Sequence, residues 1–522
     1  MACIVSITLL SACADPDTSE IHQLIDEAHH HSFFAGSDIV MDVNRKTLLS
    51  KWHALKPISV LTGPPLTEGW QFGEGNPANG LQATASQRPA YSEVVSLPHR
   101  VLKPDWPLWY ERDVGATDDN WIYVRADDGA QVFQNGRRLE PVRGEYFELA
   151  NANTSTLTIR VLNNALRGGL RDVRLIEASN VETYQIAQKR RNQMARIMID
   201  VFGQEALKAD QMAALESLFD DANTRDVLAS EWGESISIPQ LPIPWQNTNM
   251  KGEAFSFTAW GDSQGGWEVF QQLIDQMVAV PAAFSIGLGD LVGYGAQEEQ
   301  WLAYTAALQP LLAVSPVFSV PGNHDYDGYY NDLIPDLYRE YTALDASSPT
   351  YFSWVHDGAF FLAMDPNRSF PLAFDQEQRD WALEKMASEE WREANWRFLL
   401  MHQAPYAQGW PGYHGDAFIK DFVDSLAEAK SIDFVLTGHN HDYERLTKTY
   451  GRQDTHFFIF GGAGGGLEPE ESSAYPEMDK IIKEHHFAQF DVQASQVEVT
   501  IWGLAGEVLD RVLIRHHTNS PD

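Results

Sequence analysis

At 522 residues the chain is longer than one ordinary core serves, and two or three domains are expected. Its 38 basic against 73 acidic residues give a formal charge of -35. That excludes nucleic-acid binding through a basic surface, because phosphate backbones are held by Lys and Arg.

Residues 1–14 read as an export leader, an apolar run that closes on small residues. Leu10-Ser11-Ala12-Cys13 resembles the lipobox of bacterial lipoproteins. The resemblance implies an exported, periplasmic or outer-membrane protein anchored through Cys13, with that lipid as its membrane contact. No Lys or Arg precedes the run, which departs from the usual leader. Cys3 and Cys13 are the two cysteines, so no disulfide is expected to hold later domains together. Residues 15–50 carry a helical pattern, and the tract His29-His30-His31 reads as solvated.

From 55 to 178 short strand-like runs alternate with Gly, Asn and Asp turns, predicting an all-β domain. The stretches around Trp121–Glu140 and Ser155–Leu170 resemble a galactose-binding-like jelly roll. That likeness makes a glycan a candidate partner. Trp106 and Trp109 are either stacking platforms for it or core residues, and the core reading is preferred. Over 181–234 the periodicity becomes helical, predicting a helical hairpin whose Lys189-Arg190-Arg191 cluster reads as a solvated face. The three prolines of 235–247 mark an extended linker.

The catalytic reading falls on 250–516. Short apolar runs rich in Phe, Val, Ile and Leu each stop at a small polar cluster. In order the clusters are Gly261-Asp262-Ser263-Gln264, Gly289-Asp290, Gly322-Asn323-His324-Asp325, Asp365, His402, Gly438-His439-Asn440-His441 and Gly461-Gly462. Ligands of α/β sheets gather at the carboxyl ends of strands, so these residues are expected to meet at one edge. A pair of cations about 3.5–4 Å apart needs a bridging carboxylate and a mixed set of imidazole, carboxylate and amide ligands. Asp290, placed after a strand, can bridge, while His439 and His441 can reach different ions. Asn323 offers a neutral oxygen and His402 an imidazole to the second ion.

This series resembles the calcineurin-like metallophosphoesterase superfamily over 253–515. The run Gly438-His439-Asn440-His441-Asp442-Tyr443-Glu444-Arg445 and the glycines Gly461–Gly465 are closest to the purple acid phosphatase branch. The implied architecture is multidomain: a C-terminal α/β metallophosphoesterase sandwich preceded by the jelly roll and the helical hairpin. By the same resemblance Asp262 and His441 hold one metal, Asp290 bridges, and Asn323, His402 and His439 hold the other. The cofactors would be two divalent or trivalent ions (Mn, Zn or Fe). His324 would face the phosphate or protonate the leaving alkoxide, with Asp325 orienting it, and Gln264, His414 and Arg368 are secondary candidates. The branch places an iron-binding tyrosine three residues after the bridging aspartate. Here Gly293 holds that place and Tyr294 falls one residue late, so a tyrosinate ligand is not expected.

The expected function is hydrolysis of small phosphate esters by a two-metal-activated hydroxide, monoesters first. The alternatives are a phosphodiesterase acting on nucleotides or phospholipid head groups, and an inactive surface carbohydrate-binding protein.

Overall fold

The computed structural model describes residues 63–181 and 254–516, except 77–82, 104–105, 118–119, 127–128, 144, 164–166, 327–334, 343, 345–347 and 370–372. The leader with Cys13, the His29–His31 tract, the linker and all but the first residue of the expected helical hairpin lie outside the described residues. Among the described residues no helix is long and apolar enough to cross a membrane.

The first described region is all-β. One antiparallel sheet runs Glu93–Val95, Trp70–Glu74, Trp106–Val114, Ser155–Asn163, Ala130–Gln134, Arg137–Leu139 in spatial order. A second runs Leu170–Glu177, Asn120–Ala126, Tyr146–Glu148, Pro141–Arg143. Period-two alternation turns Leu157, Ile159 and Val161 of the first sheet onto Ile122, Val124 and Val173 of the second, and this shared cluster makes a sandwich. Asn135 and Gly136 form a two-residue hairpin with φ 51° and 81°, the positive values such a turn requires. Trp109 is fully buried and stacks on Phe133 at 6.0 Å, so it is a packing residue.

The second region is an α/β sandwich of two sheets. In one, Val317–Ser319, Phe284–Gly287 and Phe255–Trp260 run parallel. That sheet continues antiparallel through His486–Gln493, Gln496–Gly503 and Val508–Arg515. In the other, Ala359–Ala363, Trp396–Leu400, Phe434–Thr437 and Gln453–Phe460 are parallel, flanked by Phe352–His356 on one side and Tyr443–Tyr450 with Lys480–Ile482 on the other. Buried on both faces, these strands read as continuous apolar runs instead of alternating ones.

Aromatic rings fill the space between the sheets. Along each sheet they lie nearly parallel: Phe257 and Phe490 are 4.5 Å apart, Phe361 and Phe398 4.7 Å, Phe398 and Phe434 4.6 Å. Across the gap they meet edge to face, Phe257 standing at 86° and 5.5 Å from both Phe361 and Phe398. Both arrangements suit the ring quadrupole. Helices Trp267–Ala279 and Ala417–Lys430 follow two of the site-bearing segments, the latter capped by the Asp416 carboxylate accepting from the Ile419 amide.

Phe257→Ala should cost about 3–5 kcal/mol, because it removes a ring shared by both sheets and leaves a cavity. Val94→Ser, at a side chain 71% exposed, should stay within about 0.5 kcal/mol. Urea unfolding of the two variants followed by near-UV circular dichroism checks both outcomes.

Candidate metal centre

The parallel strands of the two sheets end at one edge, and every residue expected to ligate leaves from such an end. Trp260 leads to Asp262, Gly287 to Asp290 and Ser319 to Asn323; opposite them Leu400 leads to His402 and Thr437 to His439. Cross-links fix the edge. The Leu288 carbonyl accepts from His402 Nδ1 at 2.8 Å, across the sandwich, and Asp262 Oδ2 accepts from the His439 amide at 2.8 Å. Because Nδ1 of His402 is committed as a donor, its Nε2 is left to face the centre.

Three of these residues sit in left-handed backbone: Asp262 at φ 61°, Asp290 at 49° and His439 at 74°. Side chains other than glycine pay roughly 1–2 kcal/mol there, and such strain gathers at functional sites. The bend swings each side chain off its strand line and into the cleft. Gly438 lets this happen, since a Cβ at that position would lie 2.5 Å from Asp262 Oδ2.

Asp290 Oδ1 accepts from the His324 amide at 2.8 Å, which leaves Oδ2 at the middle of the site. Oδ2 lies 3.2 Å from His402 Nε2, 3.3 Å from Gln264 Nε2 and 3.9 Å from His324 Nε2. His402 Nε2 is 3.2 Å from His439 Nδ1, and donor atoms of Asp290, His402 and His439 all lie within 4.8 Å of one another. On the other side His441 Nε2 is 3.4 Å from Asp262 Oδ1 and 2.9 Å from Gln264 Nε2. Gln264 thus stands among the first-metal candidates, and rotation of its amide would bring Oε1 to the same point.

These groups fit a pair of cations. Asn323 Oδ1 is fully buried with no hydrogen-bond donor, and Asp262 Oδ1 has imidazole nitrogens as its neighbours. Buried oxygens left this way are costly unless a proton or cation meets them. Burial pushes the Asp262 carboxyl up, against the pull of His402 and His441. For Asp290 burial acts the same way, but His402 and His324 outweigh it and hold the carboxyl far below the usual range. Burial alone would keep the two imidazoles neutral. Asp290 and Asp262 nevertheless push His402 up to about 9, and the Asp262 hydrogen bond and charge push His441 up to about 9. His439 goes well down through burial and the charge of His402. The cluster therefore carries protons that entering cations would displace.

The secondary candidates divide. His324 joins the centre, but its Nδ1 donates to the Gly293 carbonyl at 3.0 Å. The Asp325 carboxylate, expected to orient that ring, instead accepts from the Gly322 amide at 2.8 Å and the Val292 amide at 3.2 Å. Asp325 ties two ligand loops together, and the ring orientation comes from Gly293, because a buried carboxylate flanked by free amides takes them first. Arg368 pairs with Asp375 at 3.7 Å, and Asp365 closes a network with Tyr326 and Asn367. His414 Nδ1 donates to the Tyr475 carbonyl, its ring stacked on Tyr475 at 3.9 Å. Tyr294 turns to the Glu145 carboxyl of the β region, as its one-residue shift suggested.

Three contributors escaped the sequence reading. The Gly293 carbonyl carries no side-chain signal, and Trp410 and Tyr413, each 5.6 Å from the His439 ring, lie in a Pro-Gly loop where only His414 drew notice.

Residues 255–443 match the family model of calcineurin-like phosphoesterases. The chain is 23% identical over 310 residues to probable inactive purple acid phosphatase 24 of Arabidopsis thaliana, covering 51% of this chain and 49% of the relative. It is 23% identical over 266 residues to purple acid phosphatase 18 of the same plant, covering 47% and 58%. The chain thus spans about half the length of these relatives. A purple acid phosphatase from yellow lupin (Lupinus luteus) seeds is similar at a TM-score of 0.46 and 11% identity, covering 81% of this chain and 76% of that one. With the family match lying on the strands that carry the ligands, residues 255–443 form a calcineurin-like phosphoesterase domain, similar to purple acid phosphatases.

Proposed function

We propose that the protein hydrolyses phosphate esters at a two-metal centre, with monoesters preferred. One observation carries the reading: Asp262, Asp290, His402 and His439, all buried, and the partly exposed His441 converge from both sheets around Asp290 Oδ2, with Asn323 buried at a neighbouring strand end. Asp262 and His441 would hold one ion, Asn323, His402 and His439 the other, and Asp290 both. Two such ions supply Lewis acidity and lower the pKa of water.

The chain's own groups divide the remaining work. The His324 side chain is 26% exposed and that of His441 21%, against 0% for His402; with His441 given to a metal, His324 is the imidazole left for an incoming ester. With Nδ1 donating to Gly293, its Nε2 is directed at the reacting phosphoryl group, to steady an equatorial oxygen or give the leaving alkoxide a proton. Trp410 and Tyr413 pack on His439 and keep that side of the centre dry. Two divalent ions against Asp262 and Asp290 leave a local charge of about +2, matched to a monoester dianion even within an acidic chain.

A diester reading draws on a different observation. Arg368 is engaged by Asp375, and His414 by the Tyr475 carbonyl, so neither is free to add a further charge at a terminal phosphate.

Metal analysis together with turnover of p-nitrophenyl phosphate and bis-p-nitrophenyl phosphate tests the proposal. The expected result is about two ions per chain and faster monoester turnover; preference for the diester selects the second reading. A chain that holds no metal and turns over neither ester after reconstitution with Mn, Zn or Fe refutes both. His324→Ala should keep its metal while kcat falls about 10²–10⁴-fold. Asp290→Asn should lose metal and activity together, which a metal assay beside the rate measurement will separate from the His324 effect.

A further inference from the structure

The residues between and after the two loop histidines face a second environment. His439 and His441 turn to the metal centre, whereas Asn440, Asp442 and Glu444 gather against Gln408 and Gly409. Glu444 is fully engaged: Oε1 accepts from the Gly409 amide at 2.9 Å and from Asn440 Nδ2 at 3.1 Å, and Oε2 from the Gln408 amide at 2.7 Å. Asp442 is not. Among the described residues it is the one carboxylate whose two oxygens are both buried without a donor, and its polar contact is the Glu444 carboxyl. Asn440 is fully buried too, and its Oδ1 has no donor. Asn323 Oδ1 shows the same signature in the metal centre.

A Cβ on Gly409 would stand 1.7 Å from Asp442 Oδ2 and 3.1 Å from Glu444 Oε1, so both carboxylates pack against the same stretch of backbone. Glu468 approaches through its bond to the His441 amide at 3.2 Å. Lys483 lies close enough to act on Asp442, but its ammonium donates to the carbonyls of Gly409, Pro469 and Glu471.

We infer that Asn440, Asp442 and Glu444, completed by Glu468, form a site for a hard divalent cation of the calcium type, separate from the catalytic pair. Carboxylate and amide oxygens without imidazole or thiolate suit such an ion. A proton shared between Asp442 and Glu444 would meet one Asp442 oxygen and leave the other and Asn440 Oδ1 unmet; a cation meets all three. Bound there, it would pin the far side of the loop that presents His439 and His441. The site stands whether or not the catalytic reading holds.

The test titrates chelator-stripped full-length protein with calcium, counting ions retained after gel filtration and recording the melting temperature. One calcium per chain and a raised melting temperature are expected, both lost in Asp442→Asn and Glu444→Gln and both kept in His402→Ala, which strikes the catalytic centre alone. In calcium-free buffer Asp442→Asn should melt no lower than wild type, since it relieves buried charge, and this shows that the variant folds. A wild type that retains no calcium overturns the inference and leaves the cluster to a shared proton. Calcium lost in His402→Ala but kept in Asp442→Asn overturns it as well, by placing the ion in the catalytic centre.

Discussion

Two carboxylates, Asp262 and Asp290, are buried at 0% and 1% exposure in one cleft, and the architecture around them answers to that. Like charges out of water repel strongly and cost several kcal/mol each unless compensated. Compensation comes from imidazoles on the opposite sheet, so the charged centre holds the two layers in register as well as serving chemistry. It also explains the strained backbone. The two aspartates can meet the imidazoles only if their strands turn sharply, and the left-handed values at Asp262, Asp290 and His439 are that turn.

Such a centre demands a frame that does not yield. The Phe257, Phe361, Phe398 and Phe434 layer lies within the strands that lead to the site, and its rings are interlocked by parallel contacts within each sheet and perpendicular contacts between sheets. A shift of one sheet along the other would break several of these contacts together. Close-packed interiors resist small displacements for this reason. The distances at the metal centre are therefore set by aromatic packing four or five residues before the ligands, as Phe257 stands to Asp262, Phe398 to His402 and Phe434 to His439.

Much of this was legible in the chain. Strands that end in Asp, Asn or His announce themselves by composition, and the alternation of the β region turned its apolar residues inward as expected. What the sequence concealed is non-local or carried by backbone. Asp325 follows His324, and adjacency suggested that one orients the other. In fact the Gly293 carbonyl holds the ring, and Asp325 satisfies one amide of its own loop, Gly322, and one of the Asp290 loop, Val292. No pattern of side chains signals a carbonyl. Tyr294 is the opposite case. A shift of one residue after the bridging aspartate argued against a tyrosinate ligand, whereas the Glu145 partner of Tyr294, distant in sequence, was not foreseeable.

The segment from His439 to Glu444 compresses this logic into six residues. Odd positions carry His439, His441 and Tyr443, and even positions carry Asn440, Asp442 and Glu444. Residues 439–442 form bends ahead of the strand that starts at Tyr443, and the left-handed turn at His439 lets this one segment serve two polar environments. On one side His441 meets Asp262 and His439 lies within 4.8 Å of Asp290; on the other, the Glu444 carboxylate meets the amides of Gln408 and Gly409. The sides are joined at His441, whose ring faces Asp262 while its amide donates to Glu468. Any change of charge behind the loop is therefore felt by a ligand in front of it. The partner behind the ring itself is the Gly466 carbonyl, which accepts from His441 Nδ1 at 2.7 Å and so fixes the imidazole with Nε2 toward the centre.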